Sequence, residues 1–132
     1  MQSFRPYLGI PFKAHGRATS GVDCWGLVCL YYAREFGLAL PSYEGLASDV
    51  NNPLSVALVM GAVDRSDWLE TDDPQEGDVM LFGSHIAPYH VGLFINEEIM
   101  LHTRCGTDTT IERWVGPLWE KRLLGVYRHH DR

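Results

Sequence analysis

Residues 72–77, Asp-Asp-Pro-Gln-Glu-Gly, divide this 132-residue chain into two stretches with different hydrophobic periods. Ahead of this turn cluster, Leu27, Val28, Tyr31 and Tyr32 recur at three- and four-residue steps after Asp23, and Gly37 then Pro41 supply a stop. The spacing predicts a helix over about 24–36 with Asp23 as its N-cap. Asn52-Pro53 reads as an N-cap followed by proline at the first helical position, so a second helix is expected over about 52–62, with 64–68 adding a further turn. A short helical turn is expected within residues 3–9, and 13–21 reads as a loop. After the cluster come Val79-Met80-Leu81-Phe82, Val91-Gly92-Leu93-Phe94-Ile95, Ile99-Met100-Leu101-His102 and Leu124-Gly125-Val126-Tyr127-Arg128. These are short β-forming runs separated by turns, and a fifth, weaker strand is expected near Thr110 to Trp114. Helices first and strands after predict an α+β fold, N-terminal helices packed on an antiparallel sheet of about 78–128. With 45% hydrophobic residues the chain is expected to form a single domain over 1–132.

Cys24 falls in the first turn of the predicted helix. Free N–H groups and the positive end of the helix dipole favour thiolate there, so the position suits a nucleophile. The main-chain N–H of Cys24 is a natural oxyanion donor. Such a thiol needs a base, and the base needs a third group to hold its ring. His90 opens one predicted strand and His102 lies in the next. If the hairpin centres on Asn96, the two histidines stand opposite each other; if it centres on Glu97, His102 faces Gly92 and they lie diagonally on one face. A turn centred between two residues breaks the pairing. Either favourable register puts Val91, Leu93, Ile95, Ile99 and Leu101 on the other face as a continuous apolar surface. On this reading His90 accepts the Cys24 proton and His102 fixes the His90 tautomer.

Other classes are excluded by charge and spacing. A net charge of -6 with scattered basic residues leaves no phosphate-binding surface, so nucleic acid is not an expected partner. No apolar run reaches spanning length, and the N-terminus lacks a basic-then-apolar leader, which predicts folding in the cytoplasm without membrane insertion. The three cysteines are then read as thiols. No paired-ligand spacing supports a metal, and no cofactor is expected. Cys29 reads as core and Cys105 as a spectator in a turn. His15 and His85 read as solvated, and His129 and His130 as a frayed end. Trp68, Trp114 and Trp119 read as core aromatics, with a sugar-peptide platform as the alternative. Asp72, Asp73 and Glu76 read as a solvated turn.

Four ordered motifs, Asp23-Cys24-x-Gly26-Leu27-Val28, Gly77-Asp78-Val79-x-Leu81-Phe82, His90-Val91-Gly92-Leu93-Phe94-Ile95 and Met100-Leu101-His102, resemble the NlpC/P60 family of papain-like cysteine peptidases. The resemblance implies a papain-like helix-plus-sheet fold, with Cys24 as nucleophile, His90 as base and His102 orienting it. It also implies hydrolysis of amide bonds in peptidoglycan stem peptides, commonly next to D-glutamate. Trp25, the run Tyr31-Tyr32-Ala33-Arg34-Glu35-Phe36-Gly37 with Leu40-Pro41, and the ending Gly125-Val126-Tyr127-Arg128-His129 resemble the version carried by long-tailed bacteriophages. That resemblance implies a virion tail-tip component, partnered by tail-tip proteins, that opens the wall during penetration. Bacterial members usually carry serine after the cysteine, where it and the preceding aspartate bind the substrate's amino terminus. Asp23 and Trp25 occupy those substrate-contact positions here, and Phe12 stands where relatives have tyrosine. These departures keep open a catalytically silent tail-assembly protein; a host cytosolic thiol hydrolase or acyltransferase is the third reading.

Overall fold

The computed structural model describes residues 4–41, 68–83 and 88–131. The expected second helix at 52–62, residues 64–67 of the extra turn, and His85 lie outside them. The chain enters through a 3-10 turn, Arg5–Tyr7, with Pro6 inside it. The segment that follows is stitched to a distant strand: Gly9 N–H donates to the Thr109 carbonyl at 2.9 Å, and Thr109 N–H donates to the Ile10 carbonyl at 2.9 Å. Residues 13–21, read as loop, contain a small hairpin of β1 (Arg17–Ala18) and β2 (Gly21–Val22). Strands of two residues carry no periodicity that a sequence can display.

Helix α1 runs Cys24–Glu35, close to the expected span. Asp23 caps it, its side chain accepting from Gly26 N–H. Gly37 takes φ +64 after the last turn, a left-handed conformation that glycine adopts without strain.

The remaining described strands are β3 (Trp68–Glu70), β4 (Val79–Gly83), β5 (Pro88–Phe94), β6 (Ile99–Arg104), β7 (Thr107–Arg113) and β8 (Leu123–His129), with a 3-10 turn at Glu120–Arg122 ahead of β8. They form one antiparallel sheet in the order β3-β8-β4-β5-β6-β7. Two expectations are corrected here. Trp68 does not close a helical turn; it opens β3 and pairs with His129. His129 is consequently no frayed end but a buried residue, its ring edge-on to Trp68 at 5.0 Å and against Tyr32. Both errors have one cause, because a three-residue edge strand exists only through a partner at the far end of the chain. Strand β7 also begins earlier than expected, its polar Thr107-Asp108-Thr109 start having no apolar alternation.

Alternation sorts the sheet's side chains into two layers. Val79, Leu81, Val91, Leu93, Ile95 and Leu101 join Leu27, Val28, Tyr31 and Tyr32 of α1 in the main core. Met80, Phe82, Phe94, Met100, Trp119 and Val126 form a second cluster on the opposite face. The Gly77-Asp78 motif ties helix to sheet. Tyr32 donates its hydroxyl to the Gly77 carbonyl at 2.6 Å, and buried Asp78 holds Arg128 through both carboxylate oxygens at 3.1 and 2.8 Å.

Candidate active site

The start of α1 is built around a buried carboxylate. Asp23 Oδ1 accepts from Gly26 N–H at 2.7 Å and from Arg17 at 2.8 Å, while Oδ2 accepts from His15 N–H at 2.8 Å. The segment His15 to Arg17, which leads into β1, is thereby drawn over the helix terminus. Gly26 is required by that closeness: a Cβ there would stand 2.0 Å from the Gly16 carbonyl oxygen. His15, read as solvated, joins this network through its backbone, which sits at φ 62.

Cys24 lies at the first position of α1, where its own N–H has no acceptor among the described residues. The thiol meets the main-chain N–H groups of Val91 and Trp25. The β5–β6 ladder pairs Leu93 with Leu101 and Phe94 with Met100, and among the described residues no pair extends it toward His90. The helix terminus thus brings its sulfur to the residue next to His90. Burial, followed by the charge of Asp23, pushes the thiol up to about 12, against the Val91 and Trp25 N–H bonds and the Arg17 charge, which lower it. The helix start therefore does not leave a resting thiolate, because desolvation and the Asp23 charge outweigh the two N–H donors and Arg17. A thiol in this state attacks only where a base takes its proton.

The hairpin supplies the histidines in the register centred on Glu97: Leu93 opposes Leu101 and Phe94 opposes Met100, so His102 falls across from Gly92. His90 and His102 then lie diagonally on the face of the second cluster, where His90 Nε2 and His102 Nδ1 are 2.9 Å apart. His90 Nδ1 has no hydrogen-bond partner among the described residues. Burial, then His102 and Arg104, pulls His90 down to about 3, so its ring is neutral through the working range. Burial also lowers His102, against the bond and charge of Glu112, which raise it.

One residue beside this pair, Glu112, escaped the sequence reading, and Trp119, read as a core aromatic, proves to touch both rings as well. Glu112 on β7 approaches His102 Nε2 at 2.6 Å through Oε1 and accepts from Trp119 Nε1 at 3.1 Å through Oε2. Trp119, expected as a core aromatic, stacks on His90 at 5.1 Å and 28° and meets His102 edge-on. The Arg104 guanidinium lies 5.7 Å from the Trp119 ring centre. The only sequence signal for Glu112 was an acidic residue in a weak strand beside the one carrying His102.

Trp25 is buried, donates its indole N–H to the Pro41 carbonyl at 2.9 Å, and meets Trp68 edge-on. Both expected substrate-contact residues, Asp23 and Trp25, are thus tied into the fold. Cys29 is partly buried against the main core and Cys105 is exposed. Among the described residues, donor atoms gather as a metal would require at His129, His130 and Asp131, at the end of β8 and apart from the histidine pair.

The NlpC/P60 family model matches residues 9–128, the stretch that carries the helix-terminal thiol and both histidines. The chain belongs to the NlpC/P60 family. This NlpC/P60 chain is 26% identical over 122 residues to the murein DD-endopeptidase MepS/murein LD-carboxypeptidase of Escherichia coli, covering 92% of the chain and 57% of that protein. It is 23% identical over 133 residues to tail tip assembly protein K of an Escherichia phage, covering 99% of the chain and 54% of that protein. The chain thus spans little more than half the length of these relatives. Among solved structures, an NlpC/P60 family protein from Bacillus cereus superposes with a TM-score of 0.67 at 20% identity, covering 93% of this chain and 36% of that one. The NlpC/p60 domain of peptidoglycan hydrolase SagA superposes with a TM-score of 0.63 at 16% identity, covering 94% and 91%. These neighbours establish an α+β papain-like fold for the NlpC/P60 chain.

Proposed function

We propose that this NlpC/P60 protein is a cysteine peptidase that cuts amide bonds in peptidoglycan stem peptides, and that it works at a bacteriophage tail tip among tail proteins. The observation that carries the reading is the 2.9 Å contact between His90 Nε2 and His102 Nδ1, with the helix-terminal thiol at the main-chain N–H of Val91, the residue next to His90. His90 Nδ1 takes the Cys24 proton as sulfur attacks the carbonyl carbon, forming a C–S bond while the carbonyl oxygen becomes an oxyanion facing the Cys24 N–H. Collapse of this intermediate breaks the C–N bond, and the amine leaves with the proton held on His90. Water then attacks the thioester, giving its proton to His90; the carboxyl product departs and the proton returns to sulfur. No metal or cofactor enters any step.

A second reading, an assembly role without catalysis, is favoured by the engagement of Asp23 and Trp25 within the fold and by the match to a tail tip assembly protein over 99% of the chain. One experiment separates the two. Purified protein and its Cys24→Ala variant are incubated with peptidoglycan and defined stem peptides, and released fragments are followed by mass spectrometry. Fragments from wild type that vanish with Cys24→Ala are the expected result. No fragments from either, with the protein recovered in purified virions, moves the assembly reading ahead. Activity in a protein absent from virions supports a cytosolic thiol hydrolase instead.

A further inference from the structure

We propose that Glu112 is a positioning residue which sets the tautomers of both histidines, so that His90 presents an unprotonated Nδ1 to Cys24. The inference rests on the thiol-peptidase reading for its consequence, and on hydrogen-bond accounting for its content.

Glu112 is placed by register. In the β6–β7 ladder Met100 opposes Glu112 and His102 opposes Thr110, so Glu112 and His102 are diagonal neighbours on one sheet face. Both carboxylate oxygens are engaged, Oε1 at His102 and Oε2 at Trp119. Burial works against the ionised form, yet the Trp119 and His102 hydrogen bonds, with the charge of Arg104, outweigh it and hold the carboxyl below its usual range. An ionised carboxylate only accepts hydrogen bonds.

The proton assignments then follow in order. His102 must carry its proton on Nε2 to bond Glu112, which leaves Nδ1 of the neutral ring as an acceptor. His90 must donate to that acceptor from Nε2, where the contact is 2.9 Å. Its remaining nitrogen, Nδ1, therefore holds a lone pair. Reversing any member reverses all of them, and a proton on His90 Nδ1 would leave the thiol without a base. Trp119 holds the arrangement from one side, bonding Glu112 while stacking on His90. As the thiol proton reaches His90, the carboxylate also stabilises the developing imidazolium through His102.

The charged and titratable groups facing the pair come from three strands and the helix. Glu112 faces from β7 and Arg104 from the end of β6, the latter disfavouring protonation of either ring. His90 and His102 face one another, and Cys24 of α1 lies against Val91.

The test begins with the unaltered protein. Two-bond proton–nitrogen correlation spectra of isotope-labelled histidine report the tautomer of each ring, and both His90 and His102 are expected to carry the proton on Nε2. A proton on Nδ1 of either ring overturns the proposal, whether or not the protein cuts peptidoglycan. Glu112→Gln keeps the side chain's shape but removes its charge and supplies an amide that also donates. It is expected to mix or invert the tautomers, to lower kcat roughly tenfold or more with KM within about twofold, and to move the acid limb of the pH–rate profile downward as imidazolium loses its partner. Glu112→Asp, which keeps the charge, is expected to recover part of the loss. Loss of packing alone would lower the amount of active protein without moving the limb or the tautomers, and that result, or wild-type kinetics in Glu112→Gln, rejects the proposal. Wild-type protein with the expected tautomers and no peptidase activity would reject the functional reading and leave the assignment standing.

Discussion

At the scale of single residues, the thiol and the glycine two positions later illustrate opposite uses of crowding. Cys24 is crowded out of water, and its pKa rises to about 12 because the gain from nearby N–H donors is smaller than the loss of hydration. The resting pair is therefore thiol and neutral imidazole. Gly26 is crowded by main chain. Its would-be Cβ meets the Gly16 carbonyl at 2.0 Å, and that loop is held by Gly16 N–H on the Lys13 carbonyl at 2.8 Å and Val22 N–H on the Pro11 carbonyl at 3.0 Å. Gly26→Ala is thus expected to push the loop off the helix terminus and to cost roughly 1–3 kcal/mol, read from the urea unfolding midpoint. An unchanged midpoint would show that the loop yields freely.

At the scale of elements, the β5–β6 hairpin decides whether the histidines meet. Its turn is organised by Asn96, whose side-chain oxygen accepts from Glu98 N–H at 2.8 Å and from Ile99 N–H at 3.1 Å. Its carbonyl accepts the Trp114 indole at 3.0 Å. These bonds place the centre of the hairpin at Glu97, and a one-residue slip would carry His102 to the face that packs on α1. Asn96→Ala removes both side-chain bonds. Since they are exposed, water replaces part of what is lost, and a stability decrease of about 1 kcal/mol is expected in chemical denaturation. The same register serves two ends, giving α1 an apolar bed of Val91, Leu93 and Leu101 while pairing His90 and His102 behind it.

At the scale of the whole molecule, the buried histidines link folding to pH. His90 is held at about 3 in the folded protein, chiefly by burial, against an ordinary value of 6.5. Between those values the unfolded chain binds a proton that the folded one refuses, so stability is full above about pH 6.5 and declines as pH falls toward 3. His102 acts in the same direction. Each such proton contributes a slope of roughly 1.4 kcal/mol per pH unit inside the window. Urea midpoints are expected to fall on acidification from about pH 7 to pH 5, and less steeply in His90→Gln. A flat profile would mean that the rings take up protons without unfolding.

The sequence by itself determined the helix carrying Cys24, its aspartate cap, the strand runs after residue 78 and the two histidines worth pairing, because each is written in a local period or a local spacing. It narrowed the hairpin to two favourable registers, and the Asn96 bonds selected one. The tertiary structure decided what depends on partners distant in sequence. Trp68 became a strand and His129 a buried residue only by pairing with each other. Asp23 and Trp25, placed by resemblance at the substrate, were drawn inward by Arg17 and by the Pro41 carbonyl. Glu112 lay in a weak, polar strand and became a partner of His102 only when β6 and β7 aligned. Protonation was likewise beyond local reading: spacing put Cys24 at a helix start that favours thiolate, and the packing around it withdrew the water on which that charge depends.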